Sequence, residues 1–292
     1  MTIKYVKADQ MDLANLVKIL MYGSSGSGKT WGAAMASLDP ARVLIAITET
    51  QGLLQVRQAN PQATVVHLRN LGEWGELVKD LHKPCKGCRT ETTVGDTLVH
   101  KLGPGCPKCK GSGYAGRSLY DTIVVDGITD LQRFVKTAVE GDKKRPSGNN
   151  KLRMGVLAMD DWQVVANYMQ RLLIAFRDLP YHVVVTAISE EIINQDQGEI
   201  KARPFLQGNA TRSTIGQFFN VICHLQSRRA QEGESDVELV REAVFAAPGN
   251  DILCKANPAL KARESVEVGR WIEQIINYTP QAQTVASETE EG

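Results

Sequence analysis

A complete phosphate-binding pattern, G-x-x-x-x-G-K-[ST], is formed near the start of the chain by Gly23, Ser24, Ser25, Gly26, Ser27, Gly28, Lys29 and Thr30. Its glycines let the backbone wrap closely round a triphosphate, so that N–H groups face the anionic oxygens. The Lys29 ammonium would neutralise the β- and γ-phosphates, and the Thr30 hydroxyl would bind Mg²⁺. A Gly/Ser-rich turn that only joined a strand to a helix would need neither residue. The motif therefore predicts a nucleoside triphosphate site.

Two carboxylates follow apolar runs that are typical of buried strands. Glu49 comes after Val43–Thr48, and Asp126 ends a later run of the same kind. Because ligands gather at the carboxyl ends of strands in open α/β sheets, both acids are expected to face the phosphate-binding loop. Asp126 is predicted to hold Mg²⁺ together with Thr30. Gly127 follows Asp126, so the Glu that acts as base at this point in many motor ATPases is missing, and Glu49 becomes the candidate for orienting the attacking water. An ordinary polar residue that opens a loop is the alternative role for Glu49.

A third apolar run, Tyr181–Ile188, ends in polar residues. Ser189 and Thr186 are the candidates for sensing a γ-phosphate from this strand end. Capping of the strand is the alternative role for either side chain.

Four of the six cysteines form two C-x-x-C pairs, Cys85 with Cys88 and Cys106 with Cys109, separated by 17 residues. Two such pairs at this distance predict a zinc ribbon in which four thiolates bind one Zn²⁺ tetrahedrally. Free or redox-active thiols are the alternative. The remaining cysteines, Cys223 and Cys254, lie in apolar runs and are predicted to be core residues.

Basic residues are concentrated in two stretches. The zinc-ribbon stretch, residues 83–117, carries seven Lys and Arg against two acids. The second stretch, residues 141–153, has turn-forming residues and is predicted to be mobile. Its basic residues are Lys143, Lys144, Arg145, Lys151 and Arg153. The ribbon could contact phosphates of a nucleic acid or a partner protein, and a solvated surface is the alternative.

The elements needed to position these residues alternate between apolar strand-like runs and amphipathic helical runs, which predicts an α/β fold with a mainly parallel sheet flanked by helices. We divide the chain into a core in two parts, 1–82 and 118–279, a zinc-ribbon insertion, 83–117, and a disordered acidic tail, 280–292. The net charge of +1 excludes a general attraction to polyanions. Without an apolar run of about 20 residues, the chain is expected to be cytoplasmic and to have no membrane partner.

The arrangement resembles RecA-core P-loop ATPases, in particular a compact phage-encoded group similar to single-strand-annealing recombination ATPases. The resemblance rests on GSSGSGKT at 23–30, LIAITETQG at 44–52, IVVDGITDL at 123–131, VVVTAISEE at 183–191 and RPFLQGNA at 203–210. It implies ATP as the nucleotide, Mg²⁺ at Asp126, a water-activating role for Glu49 and a γ-phosphate-sensing role for Ser189.

The same resemblance implies a homo-oligomer that binds single-stranded DNA in recombination, annealing or replication, with nucleotide held between subunits. The basic stretch from Lys143 to Arg153 and a long loop from Glu190 to Arg212 fall where RecA-type proteins place their DNA-binding loops. A phage-encoded protein of this kind would work in the host cytoplasm. Two alternatives stay open: a nucleotide-dependent switch or loader that binds a replication or packaging protein, and a nucleotide kinase with a zinc lid.

Overall fold

The computed structural model describes residues 16–86, 89–94, 97–102, 106, 114–142, 157–194, 199–230, 239–246 and 252–279. Several residues of the sequence predictions lie outside these ranges: Cys88, Cys109, Lys143, Lys144, Arg145, Lys151, Arg153 and the tail 280–292. The domain boundaries and the roles predicted for these residues therefore stay predictions.

Strands and helices alternate along most of the described chain. The strands are β1 Lys18–Gly23, β2 Val43–Ile47, β3 Thr64–His67, β4 Arg89–Val94, β5 Thr97–Leu102, β6 Thr122–Asp126, β7 His182–Asn194, β8 Glu199–Pro204, β9 Val221–Arg229, β10 Leu239–Val244 and β11 Arg263–Ser265. The helices are α1 Lys29–Ala34, α2 Leu53–Ala59, α3 Leu71–Leu81, α4 Ile128–Gly141, α5 Met159–Asp178, α6 Asn209–Thr214 and α7 Val268–Ile276.

The main sheet has the strand order β3-β2-β6-β7-β1-β9-β10-β11, and β8 pairs with the far end of β7. Six neighbouring strands of this sheet, β3, β2, β6, β7, β1 and β9, run parallel to one another. The strands β10, β11 and β8 pair antiparallel with their neighbours. The predicted α/β fold with a mostly parallel sheet is confirmed. Strand β7 lies between β1, which leads into the phosphate-binding loop, and β6, which ends at Asp126.

Both faces of the sheet are buried against helices because the central strands are apolar on both sides. One core contains Ile19, Met21 and Cys223 with side chains of α1, α2 and α7. The other contains Leu20 and Tyr22 with side chains of α3, α4 and α5. Continuous apolar strands of this kind are expected where helices cover both faces of a parallel sheet. The prediction of Cys223 as a core residue is confirmed.

The structure differs from the sequence prediction after β7. The predicted loop from Glu190 to Arg212 is instead a β-hairpin of β7 and β8, followed by α6. The sequence did not indicate these strands because side chains that face each other across the hairpin are charged and not apolar. Glu190 lies opposite Arg203 in the hairpin, and the two form an ion pair at 3.0 Å.

A group of polar contacts fastens the beginning of β1 to the beginning of β7. The Lys18 ammonium donates hydrogen bonds of 2.6 Å to the carbonyl oxygens of Leu179 and Tyr181. The Val17 N–H donates to Nδ1 of His182 at 3.1 Å. Burial, aided by the positive charges of Arg117 and Lys18, lowers the pKa of His182 to about 4. The neutral ring of His182 is therefore part of the folded structure.

We predict that protonation of His182 destabilises the fold in mild acid. The unfolded chain binds this proton near pH 6.5 and the folded chain near pH 4, so the contribution is complete above pH 6.5 and is lost as the pH falls towards 4. Between pH 7.5 and pH 5 the free energy of unfolding should fall by about 1–2 kcal/mol more in the wild type than in His182→Asn, whose amide oxygen can accept the same hydrogen bond. Urea unfolding at both pH values measures the difference, with His67→Asn on β3 as the matched control. An equal fall in wild type and His182→Asn would contradict the prediction.

Candidate functional site

The phosphate-binding loop joins β1 to α1 in the conformation that its sequence predicts. Gly26 and Gly28 have φ values of +80° and +94°, which L side chains rarely adopt. A Cβ atom on Gly23 would lie 2.7 Å from the carbonyl oxygen of Leu225 and 2.5 Å from Oγ of Ser27. Glycine is therefore required at positions 23, 26 and 28 of the loop, twice by backbone conformation and once by close packing.

Lys29 reaches back across this loop. Its Nζ donates to the carbonyl oxygens of Gly23, at 2.9 Å, and Ser24, at 2.7 Å. Burial lowers the pKa of Lys29, and the charge of Asp126 opposes that shift. The buried hydroxyl of Ser27 has no hydrogen-bond partner within the described part of the chain. The Lys29 ammonium and the Ser27 hydroxyl are therefore donors that could form hydrogen bonds to phosphate oxygens.

Asp126 is the meeting point of three elements. Its Oδ2 accepts a hydrogen bond of 2.9 Å from the Thr30 hydroxyl of α1, and its Oδ1 accepts a short hydrogen bond from the Thr186 hydroxyl of β7. A carboxylate and two hydroxyls offer the oxygen ligands that Mg²⁺ prefers. The residues present therefore fit a magnesium ion at the end of β6.

A cavity of about 520 Å³ opens over the loop, the carboxyl ends of β2 and β6, and residues 186–188 in the middle of β7. Its wall also includes part of α2 and one residue of β10. The charged and hydroxyl side chains in the wall that bear on the chemistry are Lys29, Thr30, Glu49, Asp126, Asp130, Thr186 and Arg241. The cavity combines two cations with three carboxyl groups, as a site for an anion and a metal ion requires.

Glu49 lies in this cavity beside Asp130, from the first turn of α4. A hydrogen bond between the two carboxyl groups raises the pKa of Glu49, and burial and the charge of Asp130 raise it further. Arg133 forms an ion pair with Asp130 at 2.8 Å and opposes the shift. A carboxyl group with a raised pKa in a cleft suits a general base.

The structure brings together most of the residues that the sequence singled out. Lys29, Thr30, Glu49 and Asp126 all line one cavity. Ser189 does not line it and pairs with Pro204 in the β7–β8 hairpin. Thr186, the other candidate on that strand, is the residue that contacts Asp126, whereas the sensing role assigned to Ser189 stays a prediction.

Two residues of the site were missed from the sequence. Asp130 follows Asp126 by four residues in IVVDGITDL, so its position in the first turn of the next helix was the available signal. Arg241 lies more than 200 residues from the loop on a strand with no recognisable motif. Only the pairing of β10 with β9, and of β9 with β1, brings Arg241 to the cavity.

The cysteine pairs are described only in part. Cys85 is buried, and Cys106, from the other pair, packs against it. The ends of the insertion are joined by a bridge between Pro84 and Tyr114. Within the described ranges no group of three or more His, Cys, Asp or Glu side chains is arranged to hold a metal ion. The four-cysteine zinc site stays a prediction, since it needs residues outside those ranges.

The described helices include none that is both long enough and apolar enough to cross a membrane.

Comparison with solved structures finds distant similarities. The flagellar accessory protein FlaH from Methanocaldococcus jannaschii is 9% identical with a TM-score of 0.32, over 78% of this chain and 76% of that one. The ATPase domain of G40P is 12% identical with a TM-score of 0.36, over 79% of this chain and 76% of that one.

No curated protein matches the chain significantly. A family model described as an AAA domain matches residues 15–248, which is well over half of the chain and includes the phosphate-binding loop, Asp126 and Arg241. The chain therefore belongs to the AAA domain family.

Proposed function

We propose that this protein binds and hydrolyses ATP with Mg²⁺. The observation that carries the proposal is the Asp126 carboxylate, bound by the hydroxyls of Thr30 and Thr186 at the mouth of a loop that Lys29 crosses. A structural aspartate would not need to lie in a 520 Å³ cavity beside a complete phosphate-binding motif.

Binding of the triphosphate would change the partners of Lys29. Its ammonium would leave the carbonyl oxygens of Gly23 and Ser24 and turn to phosphate oxygens, which are stronger acceptors because they are charged. Thr30 and Asp126 would hold the magnesium ion, which supplies neutralisation of the charge on the phosphates. The loop N–H groups would then hold the phosphoryl group in place for attack by water.

Glu49 would orient that water and take its proton. A hydrogen bond to Asp130 favours the protonated form of Glu49 and raises its pKa, so the base form is lost at a higher pH than for an isolated glutamate. Activity should accordingly fall on the acid side as Glu49 becomes protonated. Arg133 limits this effect through its ion pair with Asp130.

We predict that Glu49→Gln lowers the kcat of ATP hydrolysis by on the order of 100-fold or more, because a glutamine amide cannot accept the proton of water. The affinity for ATP should change little, since the phosphate-binding loop is intact. Phosphate release and ATP binding are measured together, with Glu273→Gln on α7 as control. Full hydrolysis by Glu49→Gln would remove the base assignment. ADP formation that requires a nucleoside acceptor instead of water would favour the zinc-lid kinase.

We propose that the protein binds single-stranded DNA as a homo-oligomer and uses ATP hydrolysis in recombination, annealing or replication. The β7–β8 hairpin supports this proposal because it continues directly from the strand that carries Thr186. The Tyr22 hydroxyl, next to the loop, donates to the carbonyl oxygen of Ala202 in β8 at 3.0 Å. Within the hairpin, Arg203 pairs with Glu190 and so offsets one of the acids that would repel phosphates.

We predict that single-stranded DNA stimulates ATP hydrolysis and that rising salt abolishes the stimulation, because phosphate contacts depend on counterion release. Replacing Lys143, Lys144 and Arg145 by Gln should reduce the stimulation and flatten its salt dependence. The control variant replaces the exposed Arg57, Lys79 and Arg270 by Gln, so that it has the same net charge as the test variant. If DNA leaves the rate unchanged at every salt concentration, the nucleotide-dependent switch or loader, which acts through a protein partner, becomes the better proposal.

We further propose that Cys85, Cys88, Cys106 and Cys109 bind a structural Zn²⁺, which would provide a second surface for DNA or protein. Packing of Cys85 against Cys106 supports this, since the two residues come from different C-x-x-C pairs. Thiolates that bind one zinc ion must lie close together, whereas cysteines in an insertion without a metal ion need not be in contact.

We predict that the purified protein contains about one zinc per chain and that Cys85→Ser or Cys106→Ser loses most of it, because a serine hydroxyl is a poor ligand for zinc. Metal analysis by mass spectrometry measures the content. Cys254→Ser is the matched control, because Cys254 is not one of the ribbon cysteines and its thiol donates to the Val244 carbonyl oxygen. Cys254 is only partly buried, whereas its apolar surroundings in the sequence predict a core residue. Zinc-free protein with four freely titrating thiols in this region would exclude the ribbon.

A further inference from the structure

Arg241 lies beside the phosphate-binding loop although it comes from a distant strand. In the register of the sheet Gly23 of β1 lies opposite Leu225 of β9, and Ser227 of β9 lies opposite Arg241 of β10. The side chain of Arg241 is exposed and lines the same cavity as Lys29. Arg241 therefore reaches the site from the side of the loop opposite to Asp126 and β6.

The Arg241 side chain packs directly against Gly28. A Cβ atom placed on Gly28 would lie 2.9 Å from Cδ and 3.6 Å from Nε of Arg241. The absence of a side chain at Gly28 thus leaves room for the arginine as well as permitting the φ of +94°. Gly28 immediately precedes Lys29, so the guanidinium stands next to the part of the loop expected at the terminal phosphates.

Among the described residues around β10, no acidic side chain pairs with Arg241. The next residue, Glu242, is on the other face of the strand and pairs with both Arg228, at 3.5 Å, and Arg263. These two arginines are thereby neutralised. Arg241, in contrast, forms no hydrogen bond or ion pair with any residue in the described ranges. A guanidinium that has no partner among the described residues and lines the same cavity as Lys29 is available to an anionic ligand.

We propose that Arg241 is a second phosphate-binding cation of the site, contributed by the same chain that contributes Lys29. The inference rests on the proposed nucleotide function and extends it to a residue outside the recognised motifs. The planar guanidinium can donate two parallel hydrogen bonds to one phosphate group, which an ammonium cannot do. Its place beside Gly28 assigns it to the β- or γ-phosphate, so it distinguishes nucleoside di- and triphosphates from monophosphates.

The test is calorimetric titration of wild type, Arg241→Gln and Arg241→Lys with ATP, ADP and AMP in the presence of Mg²⁺. Arg241→Gln should weaken ATP binding about 10- to 100-fold, as expected for loss of hydrogen bonds to a charged group, and should leave AMP binding unchanged. Arg241→Lys should recover part of the loss because it keeps the charge but not the planar geometry. Thermal unfolding without nucleotide should be unaltered, since the Arg241 side chain is exposed.

Two control variants separate this inference from the proposed function. Arg270→Gln on α7 removes an exposed arginine far along the chain and should bind ATP like the wild type. Lys29→Ala should lose ATP binding if the loop binds nucleotide at all. Loss in Lys29→Ala with unchanged ATP affinity in Arg241→Gln would overturn the role of Arg241 and leave the proposed function standing. Equal weakening of ATP and AMP would overturn the assignment to the terminal phosphates. A wild type that binds no nucleotide would overturn both proposals.

Discussion

The hydrogen bonds to the Asp126 carboxylate are the interaction on which the site depends. They join the beginning of α1, the end of β6 and the middle of β7, three elements that are separated by long stretches of chain. Because β7 lies between β1 and β6 in the sheet, the phosphate-binding loop and Asp126 are not on adjacent strands. Thr186 occupies the intervening strand and fills the gap with a hydroxyl. The carboxylate is therefore oriented from both sides before a metal ion arrives, which lowers the cost of ordering the site on binding.

The sheet that carries these residues is held at both ends of its central strands. At the beginning of β1, Lys18 and His182 connect it to β7 through buried polar contacts. At the other end, the Tyr22 hydroxyl connects β1 to β8. Apolar packing on both faces holds the rest of the strands. A strand fixed in this way can place the loop that follows it, and the same contacts link the hairpin to the nucleotide site.

The charges of the site are divided between two sides of the cavity. Glu49, Asp126 and Asp130 come from the ends of β2 and β6 and from α4, whereas Lys29 and Arg241 come from α1 and β10. A phosphate chain between these sides would be drawn to the cations, and its metal ion to the carboxylates. A hydrogen bond with Asp130, burial and the charges of nearby acids raise the pKa of Glu49. The grouping of carboxyl groups on one side of the cavity therefore also makes Glu49 a better proton acceptor.

The sequence by itself determined the α/β fold, the phosphate-binding loop and the roles open to Glu49 and Asp126, because each depends on local spacing: apolar runs for strands, glycines for the loop and acids at strand ends. It also indicated the core position of Cys223. Tertiary structure alone decided that Thr186 and not Ser189 contacts Asp126, that residues after Glu190 form a hairpin, and that Arg241 lies over Gly28. These outcomes depend on strand order and register, which bring residues far apart in the chain into contact. No local pattern of residue types records such pairings, because the energy that selects them comes from the packing of the whole sheet.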